Sequence, residues 1–529
     1  MSADAILSNR IAKHRARRTV GAKNESVSTS LRGLIPWLLL ACAFISFIPA
    51  AKTDAASINK TELANITIKV QSLNPPRLVI EGELSVPTQT WSFTKSYAGL
   101  LALGERISGL DLKDSNNAKV EVRKLAPGEY TSEAPATRFS YEVKLDPPVR
   151  SEDAAHISWL SGNRGLMMPG DLLPSLTSSQ SGQAVLMTFE LPPQWAVASV
   201  EKRISDRQFT IAASDVAVFF IGKDLQQRVD RIKGLELTLV TSGQWALSPA
   251  ELADLAKSIV EIHANAIGGM PGERALLILS PFPRTESAQR WSAETRGRTV
   301  VLLSGQQPAR TAALVQLSLP LTHELFHLWV PNGLALDGDY DWFYEGFTIY
   351  HAMRASQRLN VLTFQDFLNG VARAFDTYSL APARDELSLI EASKRRWTTN
   401  PALIYQKGML VAFLYDLTLR SQTSSKRSLD DVYREIFRRH RTGSPRVPGN
   451  DAVIAVLSQM PGMEDFAGTH IRTPAAITLS MWLTRFGLRV ETFGMRTRIT
   501  VGESLNREQR DLLRRLGYNS ETRRTRDHH

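Results

Sequence analysis

Apolar and polar side chains alternate in short runs over residues 58–232. Leu78 to Val86, Ala118 to Val122 and Phe139 to Val143 alternate or are β-branched, and turn residues separate them. Side chains two apart share one face of a strand, so this pattern predicts a half-buried, β-rich domain. The stretch from Ser178 to Gly182 reads as a loop, and no fixed-period repeat is present. Near residue 235 the pattern changes. Leu235 to Val240, Ala275 to Leu279 and Thr299 to Leu303 read as strands. Ser248-Pro249-Ala250-Glu251 reads as a helix start, with an N-cap, a first-position proline and an acid in the first turn. Leu314 to Val330 is apolar nearly all round, which predicts a buried helix with Pro320 near its start or at a kink. Residues 364–440 read as mostly helical, with a further helix start at Ser428-Leu429-Asp430-Asp431. The expectation is an α+β protein: a β-rich domain at 58–232, a mixed domain at 233–380, a helical region at 381–505 and a basic tail at 506–529.

One run departs from this organisation. Leu34 to Ala51 carries no charge and has the length of a bilayer span. The basic segment before it, residues 1–32, would stay in the cytoplasm by the positive-inside rule. The segment 33–51 therefore predicts a single-pass transmembrane anchor with residues 52–529 extracytoplasmic. The alternative is a signal cleaved near Ala55-Ala56-Ser57, which would leave a secreted or periplasmic protein.

Composition narrows the classes. With 529 residues, 43% of them hydrophobic, the chain can bury a large core. Its net charge of +10 suggests nucleic acid until the distribution is read. Residues 1–32 carry seven basic and two acidic side chains, and residues 506–529 carry seven and four, so eight of the ten charges sit at the ends. A nearly neutral body argues against a nucleic-acid partner. Cys42 is the only cysteine, which excludes a cysteine-peptidase mechanism and cysteine-ligated zinc in the body.

The chemistry concentrates in His323-Glu324-Leu325-Phe326-His327, an H-E-x-x-H motif inside the apolar helix. Histidines four apart lie on one helix face and can close on one zinc ion. Glu324 can act as general base toward a metal-activated water. Buried imidazoles and carboxylates need partners, and a metal would supply one to all of them. A third ligand is available downstream, Glu345 in Trp342-Phe343-Tyr344-Glu345-Gly346. The expected site is one zinc ion per chain on His323, His327 and Glu345.

Four segments resemble the gluzincin clan of zinc metallopeptidases, and within it the glycyl aminopeptidase family. They are His323 to Trp329, Trp342 to Tyr350, Tyr405-Gln406-Lys407-Gly408 with the apolar helix to Asp416, and Ser428 to Asp431. The resemblance implies an N-terminal β-domain, a thermolysin-like catalytic domain and a helical C-terminal region. It also implies that the Tyr405 hydroxyl stabilises the tetrahedral oxyanion. Trp291-Ser292-Ala293-Glu294-Thr295 occupies the place of a family segment whose glutamate meets the substrate's free amine. Glu294 is retained, while the family's two glycines and histidine are replaced. Too few residues follow the helical region to hold the family's PDZ module. The expected function is zinc-dependent hydrolysis of peptide bonds in a peptide or protein substrate, by an aminopeptidase-like enzyme at the membrane exterior. The alternatives are an endopeptidase of narrow specificity and a catalytically silent binding protein.

Overall fold

A computed structural model describes residues 64–175 and 184–519. The alternating N-terminal sequence forms strands as expected. Pro76–Phe93 and Glu129–Lys144 pair antiparallel at the centre of a ten-stranded sheet. A four-stranded sheet faces it, built from Trp195–Ala198, Phe219–Lys223, Arg164–Met167 and Trp159–Ser161. Trp91, Phe139, Phe189, Phe209 and Phe219 fill the space between them. One face of each strand thus meets a core, and the sequence alternates accordingly.

The next sheet is buried on both faces. Leu235–Thr241, Arg274–Ser280 and Thr299–Ser304 run parallel, and Gln226–Ile232 and Trp291–Arg296 close the two edges antiparallel. Val240, Ile278 and Val301 pack toward Trp159 and Phe220 of the N-terminal part. Leu239, Leu277 and Leu302 pack into the helical core on the opposite face. Burial on both sides explains the unbroken apolar runs. The architecture is α+β, with a β-rich N-terminal part and a helical C-terminal part.

The first long helix is Pro249–Ile267, opened by the reciprocal Ser248–Glu251 capping box. The motif helix is Arg310–Phe326, with His327 as its C-terminal cap residue. It starts four residues earlier than the apolar run and ends four residues earlier, and Pro320 lies inside it. Trp342–Phe347 is a wide π turn leading into Thr348–Arg358. Tyr405–Gln422 crosses it, and Leu429–His440 follows with its own capping box. Asp416 on Tyr405–Gln422 accepts from the Leu429 N–H at 2.8 Å, so two of the sequence segments lock together. The basic C-terminal segment begins as a helix, Arg507–Arg515, whose Leu512 and Leu513 are buried.

The transmembrane expectation is corrected here. No helix among the described residues is long and apolar enough to cross a membrane. The two longest, Pro249–Ile267 and Tyr405–Gln422, each carry several charged side chains, which a bilayer interior disfavours. The segment 33–51, on which the expectation fell, lies outside the described residues. The single-pass membrane placement is not retained.

Candidate active site

Three elements meet at the site. The end of Arg310–Phe326 presents His323, Glu324 and His327; the π turn presents Glu345; the first residue of Tyr405–Gln422 is Tyr405. The second and third come together because two glycines face each other. A Cβ on Gly346 would lie 2.5 Å from the Gly408 Cα, and one on Gly408 would lie 2.7 Å from the Trp342 carbonyl oxygen. Only glycine allows this crossing.

His323 Nε2 and His327 Nε2 are 3.0 Å apart, and Glu345 Oε2 lies 3.5 and 3.6 Å from them. Nitrogen and oxygen ligands at about 2.0–2.2 Å from zinc place neighbouring ligand atoms about 3.3 Å apart in a tetrahedron. The three edges straddle that value. All three side chains are buried, and Glu345 Oε2 has no hydrogen-bond partner. A buried, unpartnered carboxylate oxygen aimed at two imidazole nitrogens fits a cation between them. His327 Nδ1 lies 2.7 Å from the Val330 carbonyl oxygen, and as a donor to it leaves Nε2 as the ligand atom. Among the described residues, these three form the one group found with metal-site spacing. They fit zinc.

Glu324 is buried beside the triad. The Thr295 hydroxyl is 2.8 Å from Glu324 Oε2 and 2.9 Å from the Glu324 backbone carbonyl oxygen. Burial pushes the Glu324 carboxyl up to about 7, against the opposing pull of His327 and Thr295. Burial also raises the Tyr405 phenol above its ordinary range, so it stays protonated and able to donate. The Tyr405 oxygen accepts from Arg396 Nη2 at 2.8 Å, and the same nitrogen donates to Glu345 Oε1 at 3.2 Å.

Glu294 sits on the edge strand Trp291–Arg296, next to Thr295 but on the opposite face. Its carboxylate is engaged by His156 Nδ1 at 2.9 Å, Arg296 Nε at 2.9 Å and the Tyr97 hydroxyl. Burial would raise its pKa, but Arg296 and His156 outweigh burial and hold it ionised. The structure thus brings His323, Glu324, His327, Glu345 and Tyr405 together and gives Glu294 partners of its own. Sequence reading missed Thr295, Arg396, Asp341, Tyr97 and His156. Arg396 stands in the basic run Lys394-Arg395-Arg396, which reads as a solvated surface. Only its burial and its acidic neighbours distinguish it, and both are tertiary facts.

The fold and this site together have the form of a gluzincin-type zinc metallopeptidase, the class that the sequence resembles. Residues 335–411 match the model of the M61 glycyl aminopeptidase family. The fold is shared with an aminopeptidase N family protein from Idiomarina loihiensis, at TM-score 0.69 and 18% identity over 81% of this chain and 79% of that one. An M1 zinc metallopeptidase from Deinococcus radiodurans aligns at TM-score 0.48 and 14% identity, over 79% of this chain and 96% of that one. A search of curated proteins finds no match.

Proposed function

We propose that the chain is a zinc-dependent peptidase of aminopeptidase-like architecture, holding one zinc ion on His323, His327 and Glu345. The observation that carries this reading is the unpartnered Glu345 Oε2 facing two imidazole nitrogens at tetrahedral ligand spacing. Zinc held there would lower the pKa of a water and polarise the substrate carbonyl. The chain's own residues supply the rest. Glu324 takes the proton of the attacking water and returns it to the leaving amine nitrogen, so one water is consumed and one acid and one amine form. Thr295 holds the Glu324 carboxylate in place. Tyr405 donates to the oxygen that becomes negative as the carbonyl turns tetrahedral. The β-rich part at 58–232, the catalytic part at 233–380 and the helical part at 381–505 are proposed as the working divisions of the chain.

A second reading, an endopeptidase, is favoured by Glu294. With Arg296, His156 and Tyr97 already on its carboxylate, Glu294 has little left to offer a substrate ammonium. The test is a quenched fluorogenic peptide library offered with free and with acetylated N-termini. Cleavage of the free set alone supports an aminopeptidase; equal cleavage of both supports an endopeptidase. Cleavage of neither by zinc-loaded protein would sink the peptidase reading and leave the silent binding protein.

A further inference from the structure

The reaction just described leaves one charged group beside it without a part. The Arg396 side chain is 8% exposed, and its guanidinium makes four hydrogen bonds to neighbouring side chains of the site. Nη2 donates to Glu345 Oε1 at 3.2 Å and to the Tyr405 oxygen at 2.8 Å. Nη1 donates to the Tyr344 hydroxyl at 2.9 Å and to Asp341 Oδ1. Asp341 and Tyr344 belong to the stretch that carries Glu345, so one planar fork ties that stretch to the helix that begins with Tyr405.

Each bond has a chemical consequence. Glu345 could offer either oxygen, or both, to a metal. With Oε1 held by Arg396, Oε2 is the atom left facing His323 and His327. Tyr405 has one proton to give. A guanidinium has no acceptor, so a phenol that receives from Arg396 must direct its own proton elsewhere. We propose that Arg396 is a positioning residue that fixes Glu345 as a one-oxygen ligand and turns the Tyr405 hydroxyl proton toward the reacting carbonyl. The inference rests on the zinc-peptidase reading. A purely structural ion pair with Asp341 would hold the fold but would not couple to Tyr405.

The test uses the full chain and the variants R396M, R396K, Y405F and the doubles R396M/Y405F and R396K/Y405F. Turnover is measured on the best library peptide, and zinc affinity on apo-protein by competition with a chelator. R396M is expected to lower kcat about 100-fold with KM within about threefold, but to cost less than about threefold when Tyr405 is already phenylalanine. Zinc should bind about 10- to 100-fold more weakly to R396M, as for a lost partner of a ligand. R396K keeps the charge without the fork, and should recover part of the zinc affinity and little of the turnover. If R396M does not fold, R396K and its double supply the same comparison. Equal kcat losses in the wild-type and Y405F backgrounds, with unchanged zinc affinity, would overturn the inference alone. A wild-type chain that takes up no zinc and cleaves no peptide would overturn the peptidase reading and this inference with it.

Discussion

The crossing of the two glycines gives a quantitative expectation for Gly408→Ala. The new Cβ would stand 2.7 Å from the Trp342 carbonyl oxygen and 3.0 Å from the Gly346 Cα, where ordinary contact begins at 3.4 Å. Both obstacles are backbone, so no side chain can swing aside. The helix Tyr405–Gln422 and the π turn must separate by about 0.7 Å, the shortfall at the closer contact. Overpacking of this kind costs about 1–3 kcal/mol. Alanine's advantage over glycine inside a helix returns about 1 kcal/mol, leaving a net loss of up to about 2 kcal/mol. The effect on turnover should be larger than that suggests. Tyr405 is one helical turn from Gly408 and Glu345 adjoins Gly346, so the separation acts directly on the distance between the proposed oxyanion donor and the proposed metal ligand. A displacement near 1 Å in a reacting constellation costs about 100-fold. The control is Gly468→Ala, where an added Cβ meets nothing within 4 Å. The assay pairs the urea midpoint by circular dichroism with kcat on the library peptide. If Gly408→Ala matches Gly468→Ala in both stability and turnover, the helices do not cross as described.

Three further outcomes are expected. Glu324→Gln should retain zinc by elemental analysis yet lose most turnover, whereas His323→Ala should lose the metal; full zinc occupancy in His323→Ala would refute the ligand assignment. Tyr405→Phe should lower kcat about 100- to 1000-fold with little change in KM, and a pure KM effect would make Tyr405 a substrate-positioning residue instead. The His470 share of stability should fall in mild acid, while Glu324, raised to about 7, works in the opposite sense: burial and the nearby Lys407 hold His470 down at about 4, below the ordinary histidine value of about 6.5. The unfolded chain therefore takes up the His470 proton first, and that share drops by about 1.4 kcal/mol per pH unit between about 6.5 and 4. His263 and His351, buried behind the motif helix and also shifted down by burial, act in the same direction. Urea midpoints of wild type and His470→Gln from pH 7.5 to 5 check this, and parallel curves would refute the His470 share.

Much of the site was legible because its chemistry is local. The four-residue spacing of His323 and His327 is a helical fact, and an apolar helix around them signals burial before any coordinates exist. Glu345 and Tyr405 lie 22 and 82 residues from His323; Glu345 stood out as a downstream acid in an aromatic-rich segment, and Tyr405 only through segment resemblance. Their meeting depends on Gly346 and Gly408, whose roles are visible only once the backbones touch. The strands were legible for a similar reason: one-faced burial leaves alternation, and two-faced burial leaves apolar runs. Helix ends were less so. The apolar run continues through Leu328, Trp329 and Val330 after the helix has stopped at Phe326, because the Trp329 side chain is still buried and reaches the Gly269 carbonyl oxygen. Hydropathy reports burial, and burial outlasts the helix there.

The edge strand Trp291–Arg296 shows why the N-terminal β-rich part belongs to the argument about specificity. Alternate side chains point to opposite faces of a strand. On one face Thr295 holds Glu324, beside the proposed metal ligands. On the other, the Ser292 hydroxyl donates to the Glu152 carbonyl oxygen, Glu294 meets Tyr97 and His156, and Arg296 donates to the His156 carbonyl oxygen. Every one of those partners comes from the N-terminal part. The same strand therefore carries the support of the proposed base and the carboxylate that the family resemblance assigns to the substrate amine. Here that carboxylate is paired with a guanidinium two residues along the chain, so the two formal charges cancel. A substrate ammonium approaching Glu294 would have to displace Arg296 from a buried ion pair, leaving a guanidinium without its partner, and a broken buried pair costs about 3–5 kcal/mol. That cost exceeds the roughly 1.5–3 kcal/mol expected from a new charged hydrogen bond, so binding a free amine there is unfavourable before any other contact is counted. Discrimination between free and blocked N-termini thus turns on whether Tyr97, His156 and Arg296 keep their hold on Glu294.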